Sequence, residues 1–156
     1  MSDGAKVRGT RANAAALDAL FGRVERATFI ATTQAAAFME RTGKRKLRTY
    51  THPEGTPTTS PPGQPPALVT GNLRRSWRST PARAGRKPHT VVAYSGPTAV
   101  YSRIQELGGQ VRIERRDGSV RVVTLPARPY VAPTLESVRL PVRRIYVRRW
   151  TEAILT

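Results

Sequence analysis

The stretch QVRIERRDGSVRVVTL, Gln110 to Leu125, decides the fold, because two runs of alternating side chains meet there at Asp117-Gly118. Apolar and polar residues alternate on both sides with the period of a strand. Asp-Gly supplies the two positive-φ positions of a type I′ turn. That turn predicts Ile113 opposite Val122 and Glu114 opposite Arg121. One face would then carry Val111, Ile113, Val120 and Val122, and the other Arg112 and an ion pair. A hairpin in a chain whose two ends follow helical periods makes the domain α+β, with a mainly antiparallel sheet.

Upstream, Leu17, Leu20, Phe21, Val24, Thr28, Ala31, Ala35 and Phe38 recur at spacings of three and four, one apolar stripe of a long N-terminal helix. Thr10 or Asn13 is the expected cap, and Gly43 the expected stop. The rod would be roughly 40 Å long and pack on the sheet or on another subunit. Residues 1–11 read as a flexible basic arm, and 12–156 as one domain. Residues 43–69 hold six prolines between Pro53 and Pro66. Proline removes donors and fixes φ, so this segment reads as a long loop, mobile in an isolated subunit and ordered by a neighbour. Thr70-Gly71-Asn72 reads as a turn and Leu73 to Ser79 as a short helical turn or strand. Thr90 to Ser95 reads as a strand, and Pro97 to Leu107 as a short helix stopped by Gly108-Gly109. The last segment is helical again, with Thr134 as cap, Leu135, Val138, Val142 and Ile145 near one face, and Pro141 expected to kink or restart it.

The 156 residues carry 27 Lys and Arg against 10 Asp and Glu, a net charge of +17. Such an excess repels itself and draws the chain toward anions: nucleic acid, an acidic protein or a membrane surface. No apolar run approaches the roughly 20 residues that span a bilayer, and the N-terminus lacks the apolar core of a signal peptide. Cytoplasmic synthesis is the expectation. Cysteine is absent, which excludes disulfides and thiolate metal sites.

Catalytic chemistry finds no footing. His52 and His89 are far apart in sequence, the acids are scattered, and neither Ser76 nor Ser95 stands in a nucleophile elbow. The expectation is no enzyme, no metal and no cofactor. The basic residues Lys44, Arg45, Lys46, Arg48, Arg143, Arg144, Arg148 and Arg149 are candidates to face DNA phosphates, beside the plainer reading of a solvated charged face. Arg128, held extended between Pro126 and Pro129, suits a forked bond to a carboxylate, with Glu106 as the expected partner.

Three motifs follow the long helix in order: PPGQPPALVTGNLRRSW, VYSRIQELGG and LPARPYVAPTLE. Together they resemble the head–tail joining (neck or tail-completion) proteins of long-tailed bacteriophages. The matching positions are Pro62, Gly63, Thr70, Gly71, Leu73, Arg74 and Ser76, then Tyr101, Glu106, Leu107 and Gly108. Ala127, Arg128, Pro129, Tyr130, Pro133 and Leu135 complete the match, with Tyr130 where phenylalanine is more usual. The resemblance implies a virion protein forming a homo-oligomeric, hexameric ring between the portal-side connector and the tail tube, with genomic DNA passing through its bore. It implies a subunit or partner interface among these motif residues, to which the neighbouring Trp77 is added. The competing reading is a small basic nucleic-acid-binding protein.

Overall fold

The structure, a computed structural model, describes residues 9–49 and 60–156. Its backbone is organised by two helices, α1 (Thr10–Lys46) and α4 (Val131–Leu155), lying antiparallel. Hydrogen bonds between them set their register. Arg23 Nε donates to the Ala153 carbonyl at 3.0 Å, Trp150 Nε1 to Thr28 Oγ1 at 3.0 Å, and Thr32 Oγ1 meets the Tyr146 hydroxyl at 2.8 Å. Ala27, Ala31 and Ala36 are buried in α1, small side chains that let neighbouring elements come close.

Helix α1 starts three residues before Asn13 and runs past Gly43. The expected stop is therefore corrected: the Leu47 N–H closes the helix on the Gly43 carbonyl at 3.1 Å. Lys44, Arg45 and Lys46 occupy its last turn, where cations suit the negative end of the helix dipole. Arg74 Nε bonds the Lys44 carbonyl at 3.2 Å and satisfies one of the orphaned terminal acceptors.

Between the two helices lie α2 (Asn72–Ser76), β1 (Trp77–Ser79), β2 (Arg83–Ala84), β3 (Val91–Val92), β4 (Ser95–Pro97), α3 (Ser102–Leu107), β5 (Gly109–Glu114) and β6 (Val120–Leu125). The strands are antiparallel but form three separate pairs, β1 with β4, β2 with β3 and β5 with β6, rather than one sheet. The run 90–95 is thus split between two ladders. Residues 1–8 of the expected arm and residues 50–59 of the loop lie outside the described residues. The rest of that loop is held by its own chain: the Gly63 N–H donates to the Ala127 carbonyl at 3.0 Å, Arg128 Nε donates to the Ser60 carbonyl at 3.0 Å, and Pro65 and Pro66 are buried.

The hairpin forms with a different register. Glu114 faces Val120, Ile113 faces Arg121 and Arg112 faces Val122, one residue off the expectation. The Arg115 carbonyl accepts from Gly118 N–H and the Arg115 N–H donates to Ser119, so three residues form the loop and one is a bulge. Within the turn only Gly118 has positive φ, at 79°. Asp117 instead accepts from the Ser119 N–H and hydroxyl, a local turn bond that favours the longer loop. The expected face therefore does not form: Val111 and Ile113 share a face with Val123, Leu125 and Arg121, and Val120 and Val122 share the other with Arg112. Ile113, Val120 and Val122 are exposed. A two-stranded hairpin is marginal alone in water. Gly118→Val should melt it locally: amides of residues 109–125 should lose exchange protection while the global unfolding midpoint stays put. A matching fall in the midpoint would mean that the hairpin belongs to the core.

Helix α4 also departs from expectation. It begins at Val131, so Thr134 is not its cap but lies wholly buried in its first turn, its hydroxyl bonded to the Tyr130 carbonyl at 2.6 Å. Pro141 neither restarts nor interrupts it. Buried Thr134 and Val138 anchor the half before the proline, and the bonds to α1 anchor the half after it.

Candidate functional site

The three motifs converge on Trp77. Its side chain is completely buried, edge-on to the equally buried Tyr130 with ring centroids 5.8 Å apart and planes at 70°, a favoured aromatic geometry. Leu47 completes the buried cluster, with Met39, Leu73 and Val131 packed around it. Trp77 Nε1 donates to Ser95 Oγ at 3.1 Å, so the one polar atom of the indole is satisfied. Beneath the ring lies Gly43. A Cβ there would stand against three carbons of the six-membered ring, closer than real carbons approach. Gly43 is the seat of the indole, a role the sequence reading missed. Burial, and then the Glu106 charge, pushes the Tyr130 hydroxyl well above its ordinary range. It stays neutral and donates to the Ser102 carbonyl at 3.3 Å.

Glu106 does something other than pair with Arg128. Its Oε2 accepts from the N–H groups of Tyr130 at 2.7 Å and Val131 at 2.9 Å, and its Oε1 from Ala132 at 2.9 Å. Pro133 has no N–H, and the Thr134 N–H reaches the Tyr130 carbonyl at 3.3 Å. The whole first turn of α4 is thereby satisfied, by a carboxylate from another helix at the positive end of its dipole. No salt bridge joins Glu106 and Arg128 among the described residues. The segments do meet, since the Arg128 N–H donates to the Gln105 carbonyl at 2.8 Å, but three backbone donors claim the carboxylate. Gly108, at φ 69°, lets the chain pass Ala127, whose backbone nitrogen a Cβ would meet at 2.7 Å.

The interface candidates divide by depth. Trp77 and Tyr130 are fully buried inside the subunit, and Arg128 nearly so. Glu106, Gly108, Gly71, Leu73, Arg74, Ser76 and Pro129 are half-buried around them, while Pro62, Gly63, Thr70 and Tyr101 remain at the surface. The motif residues chiefly hold the fold together. A second cluster that sequence reasoning missed lies beside them: Glu40 bonds Lys44 and the Ser79 hydroxyl, and these bonds hold its carboxyl below the usual range.

The basic candidates are not gathered into one patch. Lys44 is engaged by Glu40, and Arg149 turns inward to Gln34 at 3.2 Å and to Glu152 at 3.0 Å. Arg45, Arg48, Arg143, Arg144 and Arg148 are exposed, and Lys46 is partly so. Tyr146 lies against Thr32, so Lys44 stands about 18 Å farther along α1. Among the described residues no three metal-ligating side chains gather, and no helix is long and apolar enough to cross a membrane. No family model, curated protein or solved structure matches the chain.

Proposed function

We propose that the chain is a structural subunit of a ring at the head–tail junction of a tailed bacteriophage, either a neck or tail-terminator position, without enzymatic activity or cofactor. Connector and tail-tube proteins are its partners, DNA passes through the bore, and it acts in the virion after synthesis in the host cytoplasm. The observation that carries the reading is the distribution of apolar surface. Among the described residues seven hydrophobics are buried, three of them alanines, while seventeen large ones are exposed, from Leu17 to Leu155. A monomer does not leave so much apolar surface in water without a use for it; a subunit completes its burial with neighbours. The order of the three motifs supplies the identity of the ring.

Disrupting the gene in the particle that encodes it should yield DNA-filled heads and free tails by electron microscopy. Joined, infectious particles at the usual titre would overturn the reading. The charge of +17 favours the nucleic-acid-binding alternative. That alternative requires duplex affinity to fall steeply, by several decades, between about 50 and 200 mM salt.

A further inference from the structure

We infer that the outer face of α4 in one copy docks on the N-terminal end of α1 in the next, head to tail; this deepens the ring reading and rests on it. Two exposed surfaces carry the inference, the first of them open beside the cleft that Phe21 and Glu25 share with residues 84–91. Because Arg23 lies against Ala153, the earlier turns of α1 run past the end of α4, and every residue from Arg11 to Ala19 is exposed. A free helical end of this kind is marginal in water and needs packing on one face. Its apolar residues are Leu17 and Phe21, exposed by 53% and 66%, one turn apart. Asp18 and Glu25 follow the same side at a spacing of seven. Neither forms a salt bridge or side-chain hydrogen bond among the described residues, in a chain with so few acids.

The outer face of α4 is the complement. Val138, Ile145 and Arg149 point inward, so Leu140, Val147 and Ile154 fall on the opposite side, each more than half exposed. Their spacing of seven residues, about 10 Å per step, makes a narrow straight seam. Helical rotation places Arg143 on one flank of that seam and Arg144 on the other. Both are exposed and free of salt bridges among the described residues. An apolar seam edged by arginines fits an apolar stripe edged by carboxylates. A second copy is the occupant because, at +17, copies repel unless their few free acids meet arginines. The surfaces differ, so the contact is heterologous and propagates into a ring or a filament.

The test uses the full chain in two charge-reversed forms, Asp18→Arg/Glu25→Arg and Arg143→Glu/Arg144→Glu. Sedimentation velocity gives the assembly state and circular dichroism the helix content. Wild type should assemble. Each variant alone should keep its helix content and need at least about 100-fold higher concentration to assemble. An equimolar mixture should assemble again, because each variant then meets its complement. Assembly of either variant as in wild type would overturn the contact while leaving the ring to other surfaces. A wild type that stays monomeric would overturn it as well. Open filaments that pass the mixing test would support the contact and count against the closed ring.

Discussion

Alanine at position 43 will cost the protein about 2 kcal/mol, although alanine is the better helix former. The propensity gain within a helix is about 1 kcal/mol. Against it stands a methyl group placed into the face of a fully buried indole. Overpacking of this kind costs about 3 kcal/mol at the upper end, and Trp77 is also packed edge-on against Tyr130. The clash therefore wins. Gly22 in the same helix is the control: its Cβ would meet only Arg26 Nη1, the mobile end of a long side chain, at 3.5 Å. Gly22→Ala should stabilise by about 0.5–1 kcal/mol. In a Trp77→Leu background the penalty of Gly43→Ala should largely vanish, which chemical denaturation of the four proteins of the cycle would show. Equal stability of Gly43→Ala and wild type would mean that Trp77 does not rest on α1.

The second large effect is expected at Glu106. Glu106→Ala removes both oxygens that serve three N–H groups at the start of α4. Loss of an ordinary cap costs up to about 2 kcal/mol, and bonds to a charged acceptor are worth more than neutral ones, so about 3 kcal/mol is expected. Glu106→Gln should recover about half of it, because one carbonyl oxygen remains and the amide donor faces donors. Denaturant titration followed by helix circular dichroism measures the series. Arg128→Ala combined with Glu106→Ala should show additive losses within about 0.5 kcal/mol, since Arg128 is bonded to Ser60 instead. Strong coupling between the two would restore the pair expected from sequence.

How far the sequence could be read depended on whether a residue's partner was local. The two long helices followed from spacing, and the hairpin from Asp117-Gly118, because those signals act within a few residues. The register was missed because Arg115 and Arg116 fit either strand or loop. Ser119, placed to bond Asp117, was the only local hint of the longer turn. Gly43 was misread because glycine ends helices and also admits close neighbours. The basic run after it marked the true end, while Trp77, thirty-four positions away, was invisible. Glu106 and Arg128 were rightly brought near one another. Which acceptor each would take depended on where α4 begins, and that was set by a carboxylate from outside the helix. A motif can be distinctive because it builds the core, and Trp77, Tyr130 and Arg128 are of that kind.

The seam between α1 and α4 has a consequence for alignment. Alanine faces are nearly featureless, and sliding one helix along the other by a turn, about 5.4 Å, would exchange one methyl for another. The hydroxyls are not interchangeable. Thr32 gives its proton to the Thr28 carbonyl at 2.7 Å, so it receives one from Tyr146, and Thr28 receives the Trp150 indole proton. A slip of one turn in one direction would leave the indole without its threonine, and in the other direction the phenol. The polar atoms thus act as the teeth of a ratchet whose apolar surfaces are smooth: burial presses the helices together, and two threonines choose the notch.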